Sequence, residues 1–203
     1  MVTGSVRPRG DLGVKVTRAP RAPLAWRLRN MLRLPFILGV LGWLLGHAYM
    51  RVFGAPILLG RLDARLIRKD GSVVDFGTLG FRVVTTAFVS FVVDQLQTET
   101  SVFGDFKYHD SGVGSTAENV ANTDMETTDG ENRVTGTQTE ASATAYQSVG
   151  TISYTTTKAI TEHGLFNDPT AGTLMDRTVF SAINVVSGDS IQFTYSLTCS
   201  AGG

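Results

Sequence analysis

Two histidines with carboxylate neighbours are the first residues in this chain whose types could do chemistry. His109 lies between Tyr108 and Asp110, and His163 directly follows Glu162. An imidazole beside a carboxylate can move protons near neutral pH or ligate a metal ion. Neither has a second histidine at ligand spacing, so both read as structural histidines beside turns. A second candidate is the run Asp124-Met-Glu126-Thr-Thr-Asp129-Gly-Glu131, with four carboxylates in eight residues. Hard cations such as calcium favour clustered oxygen ligands. The spacing fails the EF-hand template, because Thr128 and Asp129 are out of register and no glutamate closes the loop. A solvated acidic loop is the simpler expectation. The third candidate, Gly112-Val-Gly-Ser-Thr-Ala117, formally fits G-x-G-x-x-A. A dinucleotide site would need a parallel βαβ unit around it, whereas this run leads into a polar loop and then into strands.

The remaining catalytic signatures are missing from the sequence. It has no G-x-S-x-G elbow, no H-E-x-x-H and no phosphate loop. One cysteine, Cys199, excludes an internal disulfide, and one cysteine with three scattered histidines draws no zinc site. Cys199 falls on the apolar face of a strand and reads as a small buried hydrophobe. The expectation is a non-enzymatic protein with no catalytic, cofactor-binding or metal-ligating residues and no small-molecule substrate.

Charge divides the chain in two. Residues 1–70 hold 13 Lys and Arg against 3 Asp, whereas residues 71–203 hold 5 basic and 15 acidic residues. A basic arm attached to an acidic domain suits contact with an acidic partner, a membrane or nucleic acid. Self-complementarity between copies is the plainer account. Aromatic residues are not interleaved with the arm's arginines, only Trp26 sitting among Arg21, Arg27, Arg29 and Arg33. Packaged DNA could meet such an arm through phosphates alone, as a minor contact.

The elements that must carry these residues are set by periodicity. Residues 1–60 form a basic, apolar arm, extended over 1–23, and residues 61–203 form a β domain. Between Arg33 and Arg51 lie 17 residues without formal charge. As a helix they would span about 26 Å, just short of a bilayer core. Three readings compete for this segment of about 34–50. One is a helix buried against partner subunits, and another is a transmembrane helix with Gly39, Gly42 and Gly46 near one face. The third is a signal peptide ending near Gly46-His-Ala48, although its charged leader is long unless the start is Met31. The arm's apolar residues from Leu24 to Phe53 leave no polar face wide enough for water, so the arm should be ordered only against other chains.

From Arg61 the texture changes. Leu62 to Phe76 reads as a hairpin across an Asp70-Gly71 turn. Val84, Phe88, Phe91, Val92 and Leu96 recur at helical spacing, giving one amphipathic helix over about 85–97 with Thr85 or Thr86 as N-cap. Strands are expected at Phe103–His109, Arg133–Glu140, Tyr146–Thr156, Ala159–Phe166, Asp176–Asn184 and Ile191–Cys199, with a polar loop over 110–132. In the last strand Ile191, Phe193, Tyr195, Leu197 and Cys199 share one face, and Gln192, Thr194, Ser196 and Thr198 the other. Short strands with regular turns predict a mainly β fold: an antiparallel β-sandwich with one amphipathic helix and an N-terminal extended and helical arm.

The C-terminal residues also carry a resemblance. Glu162-His-Gly-Leu-Phe, Gly172-Thr-Leu-Met-Asp-Arg, Val179-Phe and Ser187-Gly-Asp-Ser-Ile-Gln-Phe-Thr-Tyr-Ser-Leu-Thr occur in that order. The pattern resembles the C-terminal β module of virion structural proteins of tailed bacteriophages. It covers residues 145–203 well, 61–140 loosely and 1–60 not at all. The resemblance implies a homo-oligomeric virion protein of the head, neck or tail, whose partners are other copies of itself and neighbouring capsid, neck or tail proteins. It also implies a structural ion pair between Glu162 and Arg177, which at a surface would contribute about 0–1 kcal/mol. The alternative is a membrane-anchored or exported β domain.

Overall fold

A computed structural model describes residues 19–53, 57–97 and 106–200. In chain order the elements are α1 (Leu24–Met31), α2 (Leu34–Phe53), β1 (Ile57–Ile67), β2 (Val73–Val84) and α3 (Thr86–Gln97). Then come β3 (Tyr108–Gly112), β4 (Val134–Thr135), β5 (Thr137–Ser142), β6 (Ala145–Ser153), β7 (Lys158–Phe166), β8 (Leu174–Val185) and β9 (Ser190–Ser200). The chain is mainly β, and two antiparallel sheets pack as a sandwich.

One sheet runs β2-β1-β9-β6-β5 and the other β8-β7-β3-β4. They join along one side where the end of β2 pairs with β8, Val83 opposite Arg177 and Val84 opposite Asp176. On the other side only Gly136 separates β4 from β5, so one run of chain passes between the sheets. A Cβ at Gly136 would lie 2.5 Å from Ser148 Oγ and 2.6 Å from His109 Nε2. Nothing larger than glycine fits that crossing.

The alternation of β9 builds the core. Ile191, Phe193, Tyr195 and Leu197 are buried in one cluster with Leu62, Leu66 and Ile152 of the flanking strands and Phe180 and Ile183 of the other sheet. Cys199 breaks the expectation: it is exposed, because β9 outlasts the sandwich at that end and the Cys199 N–H is taken by the Thr144 carbonyl of the β5–β6 turn. The hairpin of β1 and β2 turns at Gly71, whose φ of 81° is left-handed, with Ser72 N–H donating to Asp70 Oδ1. In α3 the N-cap is Thr85, whose Oγ1 accepts the Phe88 N–H at 3.2 Å. Phe88 and Phe91 meet Phe106 edge-on at 5.0 and 4.9 Å between ring centres. β3 begins at Tyr108 and takes the first residues of the expected loop; Phe103 lies outside the described residues.

The arm contributes to the fold itself. Residues 20–22 run parallel beside β2, with Asp75 N–H donating to Pro20 O and Ala22 N–H to Asp75 O, both at 2.8 Å. Where β2 and β8 diverge, α1 fills the seam. Trp26 Nε1 donates to Ala182 O at 2.8 Å, and its ring meets Phe76 at 4.6 Å. Asn30 is buried and serves both sheets: its Nδ2 donates to Leu79 O, and its Oδ1 accepts the Ser181 N–H. Residues 19–33 are thus ordered on their own domain and not only against other chains, and β1 begins at Ile57, ahead of residue 61. Asn30→Ala strands a carbonyl of β2 and an amide of β8. It should lower unfolding free energy by about 1–3 kcal/mol in urea titration, with the Ser181 amide, which donates to Asn30, losing hydrogen-exchange protection first.

Candidate functional site: a sealed polar core and an open apolar helix

The polar residues singled out by their chemistry converge on the β3–β7–β8 sheet. His109 and His163 lie on adjacent strands, with His109 Nδ1 and His163 Nε2 2.9 Å apart. His109 Nε2 sits 2.8 Å from Ser148 Oγ, from the facing sheet. Hydroxyl, imidazole and imidazole in line is an arrangement that can relay a proton from a nucleophile. All three residues are fully buried, with Phe193 against His163 at 4.5 Å and Gly150 beside the His109 ring. Burial pushes the His109 imidazole down to about 3 from its ordinary 6.5, so it is neutral at physiological pH. Among the described residues the three side chains are closed to solvent and fill the space between the two sheets. Sequence reasoning found both histidines but missed Ser148. The signal was in Gly136 and Gly150, whose missing side chains make room for the His109 ring.

Behind the same sheet, the 113–133 loop is closed down by one ion pair. Glu162 and Arg177 are both buried, with Arg177 Nε and Nη2 each 2.7 Å from Glu162 Oε2. The expected Glu162–Arg177 ion pair is present, and its setting is the interior and not the surface. Glu162 also accepts N–H groups from Gly114 at 3.0 Å, Thr127 at 2.8 Å and Glu126 at 3.2 Å. A Cβ at Gly112 or Gly114 would collide with this carboxylate. The G-x-G spacing therefore cradles an anion, but the anion is the chain's own Glu162.

The acidic loop is solvated at Asp124 and Glu126, as expected, but Asp129 and Glu131 are drawn into the fold. Glu126 meets Arg177 at 3.2 Å, and Glu131 meets Lys158 at 2.7 Å. Asp129 accepts from Ser111 and lies 3.9 Å from Lys158, while Asp124 is 3.6 Å from Arg133. The Lys158 ammonium, together with the Thr155 N–H, holds the Glu131 carboxyl down at about 2. Asp110 is shifted the other way, upward by burial, although Arg133 donates to it at 3.0 Å. Met125 packs on Phe166 and Leu174, and the Arg133 guanidinium lies 3.4 Å over the Phe166 ring. Among the described residues no group of three His, Cys, Asp or Glu could hold a metal ion.

The open surface is α2. Pro35, in its first turn, cannot donate an N–H and so separates it from α1. Its inner face lies on β2. A Cβ at Gly39 would be 2.7 Å from Phe81 O, and the Phe81 ring meets Phe36 at 6.1 Å and Trp43 at 5.5 Å. Among the described residues nothing covers the outer stripe: Leu38, Leu41, Leu45 and Tyr49 are each half exposed or more. Between α2 and β1 runs a groove of about 610 Å³ lined by Leu38, Gly42, Leu59, Phe81, Ala117 and Glu118. The helix is 20 residues long, apolar enough to cross a membrane, and its apolar window is not buried. The polar network can hold the β framework and the 113–133 loop together; the helix face can bind. No known protein family, curated protein or solved structure matches this chain.

Proposed function

We propose that this protein is a structural component of a tailed-phage virion, in a head, neck or tail position, acting through subunit interfaces and not through catalysis. The observation that carries the reading is the α2 face. A helix over five turns long and predominantly apolar is held against a sandwich with its outer stripe exposed. Contiguous exposed apolar surface of that kind marks an interaction site. The resemblance at Glu162-His-Gly-Leu-Phe and Gly172-Thr-Leu-Met-Asp-Arg supplies the virion setting. The protein should copurify with intact particles in fixed stoichiometry. Finding it only as a soluble monomer, absent from particles, would sink the proposal.

A second reading rests on helix length. Twenty residues at 1.5 Å each match the roughly 30 Å hydrocarbon core, so α2 could anchor an exported β domain. Integral behaviour in host membranes without other phage proteins, or cleavage after Ala48, would select that reading.

A further inference from the structure

We propose that the cleft between α1 and the β1–β2 hairpin binds the phosphate backbone of a nucleic acid through Arg21, Arg27 and Arg65, without reading its sequence. The inference stands apart from the virion and membrane readings and uses none of the α2 face.

Two cavities of about 300 Å³ each meet at Asp75 and Gly77. The first lies between α1 and β2, with Arg21 and Arg27 in its wall. The second lies over β1, β2 and β9, with Arg65 and Thr194 in its wall. Arg21 and Arg65 are exposed, and Arg27 is half-buried. Among the described residues no acceptor engages any of these three guanidinium groups. The neighbouring carboxylates are already in use. Asp63 takes Arg61 at 3.0 Å and the Thr78 hydroxyl at 2.7 Å, and Asp75 Oδ1 takes the Gly77 N–H at 2.8 Å. With Arg61 and Asp63 paired, three arginines face the single carboxylate of Asp75.

The rest of the chain does not supply the missing anions. Arg68, Arg133, Lys158 and Arg177 each meet a carboxylate at 3.0 Å or less, so Asp189, Asp110, Glu131 and Glu162 are spent within the fold. Those groups cannot also neutralise the cleft of a second copy. The residues outside the description hold four cations, Arg7, Arg9, Lys15 and Arg18, against Asp11, Glu99 and Asp105. As a set they add positive charge.

The form of the site selects a polymer of phosphates. A planar guanidinium presents a fork of donors that fits a phosphate group. Exposed forks on separate elements suit a row of phosphates more than one enclosed anion. Arg21 and Arg27 also continue a basic run, since residues 1–33 hold eight cations and Asp11 alone in opposition. Such a run is the electrostatic footprint of nucleic-acid binding. Trp26 is held by the fold, its Nε1 donating to Ala182 O and its ring meeting Phe76. Contact is therefore with the backbone, which positions a nucleic acid but carries no sequence information.

The test is fluorescence anisotropy of the full chain with a short labelled DNA duplex of mixed sequence, over a range of salt concentrations. The wild type should bind, and a second duplex of unrelated sequence should compete equally. Replacing all three residues, Arg21→Gln, Arg27→Gln and Arg65→Gln, should keep the thermal unfolding transition and make the slope of log affinity against log salt shallower by about 2.7. Between about 50 and 200 mM salt the wild type should then lose about fortyfold more affinity than the variant. Arg65→Gln alone, a change at one exposed side chain, should reduce the slope by about 0.9, and the triple lysine variant should keep it. Absence of binding by the wild type at about 50 mM salt overturns the proposal. So does an unchanged slope in both glutamine variants, which would place the contact elsewhere in the basic arm. Polyglutamate of equal total charge that displaces the labelled duplex as well as unlabelled duplex does would also overturn it, by identifying an acidic protein as the occupant.

Discussion

Replacing Arg177 with methionine should cost about 3–5 kcal/mol of folding free energy, the cost of leaving a buried carboxylate without its cation. Glu162 is fully buried and Arg177 nearly so, with two nitrogen–oxygen contacts of 2.7 Å. An exposed pair of the same residues would be worth about 0–1 kcal/mol, so the magnitude distinguishes the two settings. The substitution also frees Glu126, which Arg177 holds at 3.2 Å, and removes an anchor of the loop that Glu162 gathers through the Gly114, Glu126 and Thr127 amides. Proteolysis of the 113–127 segment should therefore accelerate more than cleavage elsewhere. The double variant Glu162→Gln with Arg177→Met removes both charges and should recover part of the loss in a double-mutant cycle. A urea midpoint within experimental error of wild type for Arg177→Met would contradict the assignment.

Acid should destabilise the protein well above the range in which surface carboxylates titrate. His109 is neutral in the fold because it is fully buried, and its two hydrogen-bond neighbours, Ser148 and His163, offer no anion. Its native pKa of about 3 lies below the unfolded value of 6.5. Below pH 6.5 the unfolded chain binds a proton that the native chain refuses. Stability is then lost by up to about 1.4 kcal/mol per pH unit as pH falls towards 3. Glu131, held at about 2 by Lys158 and the Thr155 amide, adds a loss of the same sign below pH 4.5. Asp110, raised by burial, works in the opposite direction over the carboxylate range. Urea midpoints between pH 7.5 and 5 isolate the histidine contribution. His109→Gln should flatten that slope even if it lowers stability overall, and an unchanged slope in the variant would remove His109 as the cause.

Much of the framework was legible in the residues. The two-residue alternation of Ile191 to Leu197 names a half-buried strand whatever it pairs with, because successive side chains must point to opposite faces. The Asp70-Gly71 turn and the Thr85 cap are equally local: each is set by hydrogen bonds within a few residues, so sequence and structure agree there. The number and spacing of such strands dictate the sandwich. Polar residues carry no comparable label. Glu162, His109 and the carboxylates from Asp124 to Glu131 look alike on paper whether water or protein surrounds them. Which of them are drawn inside is decided by partners 15 to 54 positions away, including Arg177, His163 and Lys158.

Cys199 shows the converse. It keeps the parity of a core face, yet it is exposed because the strand runs past the layer that would cover it, and where a layer ends is a property of the whole sandwich. The arm divides along the same line. Its apolar character is plain in the sequence. That Trp26 and Asn30 bridge β2 and β8, while the outer stripe of α2 stays bare, depends on where two strands separated by about ninety residues part company. Local periodicity fixes which way a side chain faces; only the packed sheets decide what it meets there.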